Sequence, residues 1–250
     1  MNGILTLTHN NLKLTQNCIH SALRQDIPAV VKAIDNGSTD SSAAWLDAYG
    51  LLLDASPDNA GVSAGWNRGL NAFFERGADS VLVIGNDTWI PPYFYRELLS
   101  YDLPFITGVA VGDMAQVQPK PTKWPLDPHP DFSAFCIRKR IWQEIGQFDE
   151  RMKHYASDCD WHIRAHRKSY QLWKASCEFF HERSSTLRNA SPEEAQQIQE
   201  QANKDRAMFR SLYNCLPGEA AYEEIFRQSP ATPRVPSPVS SDTPSETGMG

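Results

Sequence analysis

The sequence predicts an α/β fold, a mostly parallel sheet with helices on both faces, from three observations. Short apolar runs such as residues 81–84 alternate with helical patterns through the first 110 residues. Several runs end at Gly or Asp, residues that punctuate strands. At 250 residues, with 41% hydrophobic and 22% charged, the chain can bury one sizeable core in the ordinary globular way. Strands and helices alternating at this pace indicate right-handed βαβ units.

Residues 3–8 (GILTLT) read as the first strand, and Leu12, Ile19, Ala22 and Leu23 mark the helix after it. AVVKAI, 29–34, is a second strand, ended by the turn signal Asp35-Asn36-Gly37. SSAAWLDAYG follows as a short helix with Gly50 as its C-terminal cap. A third strand, LLLD at 51–54, enters the polar loop 56–61, and a helix through 71–74 returns the chain to the strand SVLVIG. Pro91 and Pro92 then look like the start of a helix. PFITGVAV, 104–111, is another strand, whereas 112–130 contains five prolines and reads as an ordered excursion or a lid. DFSAFCIR is strand-like, KRIWQEIG and 158–168 are helical, EFFH at 178–181 is a last strand, and 191–213 is a long amphipathic helix. Residues 217–250 form an extension, disordered from about 229, where Pro, Ser and Thr prevail.

Composition narrows the function. A net charge of −6 argues against a nucleic-acid coat. The apolar runs are too short to span a bilayer, and the N-terminus has neither a charged leader nor a long apolar region. The five cysteines contain no CxxC pair, so no disulfide framework or structural zinc site is expected, and a reduced cytoplasmic compartment is the plain reading.

In doubly wound sheets ligands bind beyond the carboxyl ends of the strands, so polar residues there carry the functional question. Asp35 can belong to turn chemistry with Thr39 or Asp40 capping the next helix, or can accept a hydrogen bond from a nucleotide base. In PDNAGVSAGWNRGL, Gly65 either permits close helix packing or lets backbone approach a ligand, with Asn67 available to hydrogen-bond. The stretch lacks GxGxxG spacing and any Walker A lysine. Asp87 is four residues before Pro91, which favours Ile90 as the cap and leaves its carboxylate for a hard cation beside a diphosphate. In HYASDCDWHIRAH, Ser157 and Asp160 fit a capping box, while Asp158 sits in the first turn, where the helix dipole favours its ionised form. That ionised state suits a general base equally well. His181 closes an apolar strand as Asp87 does, and imidazole beside carboxylate favours manganese over magnesium.

Together these stretches resemble the family-two glycosyltransferases of GT-A fold, over roughly residues 3–187. ILTLTHNN is similar to their first strand, IDNGSTDSS to their nucleotide-binding turn, and NAGVSAGWNRGL to their NxGxxxGxNxG stretch. GNDT resembles their metal-binding acidic motif, DFSAFCIRKRIWQEIGQFDERM their acceptor-side segment, and YASDCDWHIRA their ED-type catalytic motif. The resemblance implies a GT-A domain over 1–216, with a nucleotide-sugar-binding half (1–110), an acceptor and catalytic half (111–190) and a C-terminal helix (191–216). It assigns Thr6, Asp35, Asn36, Asn59, Gly65, Asn67, Asn86 and Asp87 to the nucleotide sugar. Asp87 and His181 would hold a divalent cation, Mn2+ or Mg2+, and Asp158 would be the catalytic base. Asp160, Trp161 and Trp124 fall on the acceptor side, Trp124 either stacking on a sugar or pinning its loop to the core. The implied reaction is inverting transfer of a hexosyl or deoxyhexosyl group from a UDP- or dTDP-linked donor to an acceptor hydroxyl. That hydroxyl can belong to a glycan, a lipid-linked sugar, a protein or a modified nucleobase. Two positions depart from the family pattern: Gly85 replaces the first acid of DxD, and Ser157 the usual Glu before the catalytic Asp. The first departure keeps open a non-catalytic nucleotide-sugar or glycan-binding protein. THNNLKLTQN lacks the glycine-rich loop of a pyrophosphorylase, and the absent GxGxxG disfavours a dehydrogenase.

Overall fold

The computed structural model describes residues 1–117, 119–125, 131–182 and 191–228, without the side chains of 119–122. The first half runs β1 (Asn2–Thr8), α1 (Leu12–Ala22), β2 (Val30–Asn36), α2 (Ser42–Ala48), β3 (Leu52–Ser56), α3 (Val62–Glu75) and β4 (Ser80–Gly85). After it come β5 (Thr88–Trp89), α4 (Phe94–Ser100), β6 (Phe105–Val111), a 3-10 turn (Met114–Gln116), β7 (Pro119–Pro125) and β8 (Ala134–Arg138). The chain continues through α5 (Lys139–Ile145), α6 (Ser157–Arg167), β9 (Trp173–His181), α7 (Pro192–Tyr213) and α8 (Ala220–Arg227).

Among the described residues nine strands make one sheet, in the order β3-β2-β1-β4-β8-β6-β9-β5, with β7 also paired to β9. The pairs β3-β2, β2-β1 and β1-β4 are parallel, as βαβ crossovers require. β8 is antiparallel to both β4 and β6, so β6 and β9 again run in the direction of β4. The carboxyl ends of β1, β2, β4 and β9 therefore lie along one edge.

Side chains alternate between two cores, as a pleated sheet buried on both faces demands. Leu5, Ile34, Val81, Val83, Phe135 and Ile137 face one core, shared with Phe73 of α3, Trp142 of α5 and Trp161 of α6. Ile4, Ala33, Leu82, Ile84 and Cys136 face the other, shared with Ile19 of α1, Leu46 of α2 and Phe94 of α4. Each of these large side chains stabilises the fold by roughly 1.5–3 kcal/mol on leaving water.

Several local expectations are corrected. β2 extends through Asp35 and Asn36, so the turn begins two residues later than the Asp-Asn-Gly signal implied. The proline-rich excursion is a strand over 119–125; its prolines, which cannot donate to a ladder, are tolerated because β7 lies at the outer edge of β9. α4 starts at Phe94 with Tyr93 as cap, so Ile90 caps nothing and is instead buried. Residues just beyond 216 are packed as well. Tyr222 of α8 is fully buried with Met152, Cys159, Ile163 and Phe209, a third cluster that joins α7 and α8 to the outer face of α6. The disorder expected from about 229 lies outside the described residues.

Candidate active site

The strand edge is assembled by pairing. β4 surfaces at Gly85, and after Asn86 and Asp87 the two-residue β5 pairs with the end of β9, setting Thr88 opposite His181. That register brings Asp87 Oδ1 to 3.3 Å from His181 Nε2, with both side chains more than four-fifths buried. Asp87 O accepts the Glu182 N–H at 2.9 Å, and Thr88 Oγ1 donates to Gly85 O at 2.7 Å, tightening the turn. A Cβ added to Gly85 would sit 3.0 Å from Asp87 Oδ1, a tight contact that the glycine avoids. A carboxylate oxygen and an imidazole nitrogen this close suit one divalent cation of borderline character. No group of three His, Cys, Asp or Glu that could hold a metal occurs among the described residues. Two protein ligands leave positions for diphosphate and water, the usual condition of magnesium-type sites. Beside Asp87 a cleft of about 400 Å³ opens against α1, lined by Asn17, His20, Arg24, Trp89, Phe180 and Glu182; neither Asp35 nor Asp158 lines it.

At the end of β2, Asp35 is buried, and Oδ2 accepts the Ser38 N–H at 3.0 Å. Its Oδ1 is buried with no partner among the described residues. Desolvating a carboxylate oxygen without a hydrogen bond is costly, so Oδ1 is available to a ligand donor. Asn36 points to the other face and is fully used: Nδ2 donates to Asn59 Oδ1 and Gly61 O, and Oδ1 accepts the Ala60 N–H. Asn59 in turn accepts the Gly61 N–H at 3.0 Å. Asn36 and Asn59 thus build the turn before α3. Asp40 ties the starts of two helices together, although Ser41 and Asn11 hold the cap positions: Oδ1 accepts from Ser42 N and Oδ2 from Leu12 N. Burial opposes its ionisation, but hydrogen bonds from Ser42 and Leu12 hold it below the usual carboxylate range.

Asp158 lies in the first turn of α6, largely enclosed, with Oδ1 accepting the Cys159 N–H at 2.9 Å. Burial pushes its pKa up to about 6, the Cys159 N–H pulls it down, and the Asp131 carboxylate raises it again. The expectation that the helix dipole dominates is therefore reversed by desolvation. Asp131 ties the two ends of the site together. Its Oδ1 accepts from Ser133 N and Ser133 Oγ, and Ser133 O accepts the Gly85 N–H at 2.9 Å. Asp131, whose charge reaches Asp158, is thus tied through Ser133 to the end of β4.

Six assignments look different once placed. Thr6 is fully buried under α1, 3.8 Å from Cys18 Sγ, because its strand position turns it inward. Gly65 serves packing: a Cβ there would meet Leu7 Cδ1 at 2.3 Å, so its role is the approach of α3 to β1. Asn67 is buried and spans to the segment after α5, donating to Phe148 O and Glu150 Oε1 and accepting the Phe148 N–H. Asp160 forms no capping box; Oδ2 pairs with Arg164 at 2.8 Å and Oδ1 accepts the Tyr213 hydroxyl at 2.6 Å. Trp161 is fully buried and donates Nε1–H to Gly146 O. Trp124 is exposed on β7 opposite Lys174, seven residues along β9 from His181, which at ~3.3 Å per residue is roughly 23 Å from the strand edge. Asn86 stays at the edge, its Nδ2 reaching Thr8 Oγ1, Thr15 Oγ1 and Asn10 O at 3.3–3.4 Å.

The sequence model of Glycosyl transferase family 2 matches residues 4–171, more than half of the chain and every strand-end residue above except His181. The chain belongs to glycosyl transferase family 2. Solved structures share the GT-A fold of this family-two glycosyltransferase at low identity. Residues 1–349 of Staphylococcus aureus TarS in complex with UDP-GlcNAc align with a TM-score of 0.61 at 15% identity, covering 90% of this chain and 70% of that one. The mannosyltransferase PcManGT of Pyrobaculum calidifontis, in complex with GDP-Man and Mn2+, aligns at 0.57 and 11% identity, covering 90% and 83%. GalNAc-T7 with UDP, GalNAc and Mn2+ aligns at 0.61 and 12% identity, covering 91% and 54%. No curated protein sequence shows significant similarity to the chain.

Within this glycosyltransferase, two residues at the edge escape sequence reasoning. Asp131 precedes β8, and only the antiparallel return of β8 along β4 brings it to the site. Asn10, in the left-handed region at φ 55°, accepts from Thr39 N and Asp40 N and so joins the first two strand-end loops. The pair of asparagines at 10 and 11, both with positive φ, was the available signal.

Proposed function

We propose that this glycosyltransferase moves a hexosyl or deoxyhexosyl group from a UDP- or dTDP-linked donor to an acceptor hydroxyl, with inversion. The observation that carries the reading is the 3.3 Å approach of Asp87 and His181 at the strand edge. Asp87 and His181 would hold a divalent cation, Mn2+ or Mg2+, which when bound offsets charge building on the departing diphosphate. Asp35 binds the base: its unpartnered Oδ1 suits the imide N–H of uracil or thymine. Asn86 borders the sugar-diphosphate end. Asp158 accepts the proton of the acceptor hydroxyl as that oxygen attacks the anomeric carbon and the bond to the diphosphate breaks. One displacement inverts the centre and needs no protein nucleophile. A pKa near 6 suits this role, because the carboxylate is ionised at neutral pH yet basic enough to take a proton. UDP-GlcNAc in TarS, and Mn2+ in PcManGT and GalNAc-T7, support the donor and cation classes.

No helix among the described residues is long and apolar enough to cross a membrane. Five buried, unpaired cysteines fit a reducing, cytoplasmic setting. The second reading, a nucleotide-sugar-binding protein without turnover, draws on Gly85; the approach of Asp87 to His181 weakens it. Thermal shift across a panel of nucleotide sugars, with and without Mn2+, tests the donor. Stabilisation only by uridine or thymidine sugars, and only with Mn2+, is expected. Stabilisation by purine sugars alone would refute the assignment of Asp35.

A further inference from the structure

α7 grips the segment that precedes the proposed base. Asp205, fully buried on that helix, faces three consecutive backbone N–H groups. Oδ1 accepts from Lys153 N at 3.0 Å, and Oδ2 from His154 N at 2.9 Å and Tyr155 N at 3.0 Å. Gln201, one turn earlier, donates to Oδ1 at 2.7 Å and holds the carboxylate in place. The same segment is fixed from its other side by α3. Lys153 O accepts the Val62 N–H at 2.6 Å, and Ser63 Oγ donates to Met152 O at 2.6 Å. Next in the chain, Ala156 takes a left-handed conformation, φ 65°, and α6 begins at Ser157, one residue before Asp158. α7 reaches α6 once more where the Tyr213 hydroxyl meets Asp160.

We propose that Asp205 is a positioning residue: by gathering the N–H groups of 153–155 it fixes where α6 starts and hence where the Asp158 carboxylate stands. This rests on the reading of Asp158 as the base. A chain that is not otherwise in regular structure needs such fixing, because its backbone amides lack helix or sheet partners. A carboxylate accepting several N–H bonds is a strong anchor, and Asp205 lies in sequence far outside the part of the chain that the family model matches. A loosened start to α6 moves the base by a fraction of an ångström to an ångström, enough to cost up to about 100-fold in rate.

The test compares the full-length protein with Asp205→Asn, which keeps the shape but turns an N–H2 group toward backbone N–H donors. Amide hydrogen exchange over 152–159 is expected to quicken at least about tenfold while β4 and α3 keep their protection. Binding of UDP with Mn2+ should change less than about threefold, while hydrolysis of the nucleotide sugar selected by thermal shift falls at least about tenfold. Unchanged exchange over 152–159, or faster exchange with unchanged hydrolysis, overturns the proposal. Should that variant fail to fold, Gln201→Ala gives the graded form: about threefold faster exchange in the same segment supports the proposal, and no change overturns it. Asp158→Asn, measured in parallel, separates the two readings. Hydrolysis unaffected by that change removes the base, whereas a dead Asp158→Asn beside an unperturbed Asp205→Asn removes only the positioning role.

Discussion

Asp158 is held at a cost. Burial raises its pKa to about 6, above the ordinary 3.8, so folding favours the protonated form. Its favourable contribution is complete below about 3.8 and is lost as pH rises through about 6. The difference of about two units corresponds to roughly 3 kcal/mol at most of strain at neutral pH. Asp158→Asn is therefore expected to raise the melting temperature by several degrees at pH 8 and not at pH 3.5, where calorimetry would show the two proteins alike. The same change should reduce transfer about 100-fold or more while UDP binding stays within a few-fold. For the unaltered enzyme, log kcat should fall with decreasing pH below about 6, and a flat profile down to pH 4.5 would exclude Asp158 as base. At this scale Asp87 and His181 were legible as strand-end residues, because each closes an apolar run. Thr6, Gly65 and Asn67 were harder to read, because residues of these types suit ligand and packing equally. Which of the two a polar side chain serves depends on the element across from it, and that is not a local property.

Helix α3 shows how an element is set by contacts outside itself. Gly65 and Gly69 lie one turn apart, and a Cβ on either would run into Leu7 or Leu5 at 2.3–2.4 Å. Gly65→Val should push α3 off β1 and cost about 1–3 kcal/mol, read by chemical denaturation with an unchanged slope. On the same helix, Asn67→Ala leaves the Phe148 N–H buried and unpaired, a loss of about 1–3 kcal/mol that Asn67→Asp would not fully restore, since it lacks the donor to Phe148 O. The sequence predicted nearly every helix and strand of the first half, where periodicity and punctuation agree. β7 was missed because prolines obscure a strand whose existence depends on the free edge of β9. α8 was missed because its eight residues follow a Pro-Gly pair and show their apolar face only against α6.

On the scale of the whole molecule, the mixed sheet does the gathering. Parallel β1, β2 and β4 deliver Asp35 and Asp87 to one edge, and β9, returning in the same direction after an antiparallel β8, delivers His181. α6 is supported from outside by α7 and α8. A chain ending at residue 216 would lose Tyr222 from a fully buried position, and at about 3–5 kcal/mol for a buried aromatic it should melt well below the full-length protein in a thermal scan. The resemblance of scattered motifs foretold the fold, but the supporting role of the C-terminal helices arises from packing over 50 residues of separation and had no motif to reveal it. The central claim is that a diphosphate binds through a cation held by Asp87 and His181, in the site where Asp158 acts. Calorimetric titration of UDP tests it most directly, in Mn2+ and in EDTA, against the unaltered protein, Asp87→Ala and Asp158→Asn. The account predicts tight binding that needs Mn2+, survives in Asp158→Asn and is lost in Asp87→Ala; equal affinity in EDTA, or an unaffected Asp87→Ala, would contradict it.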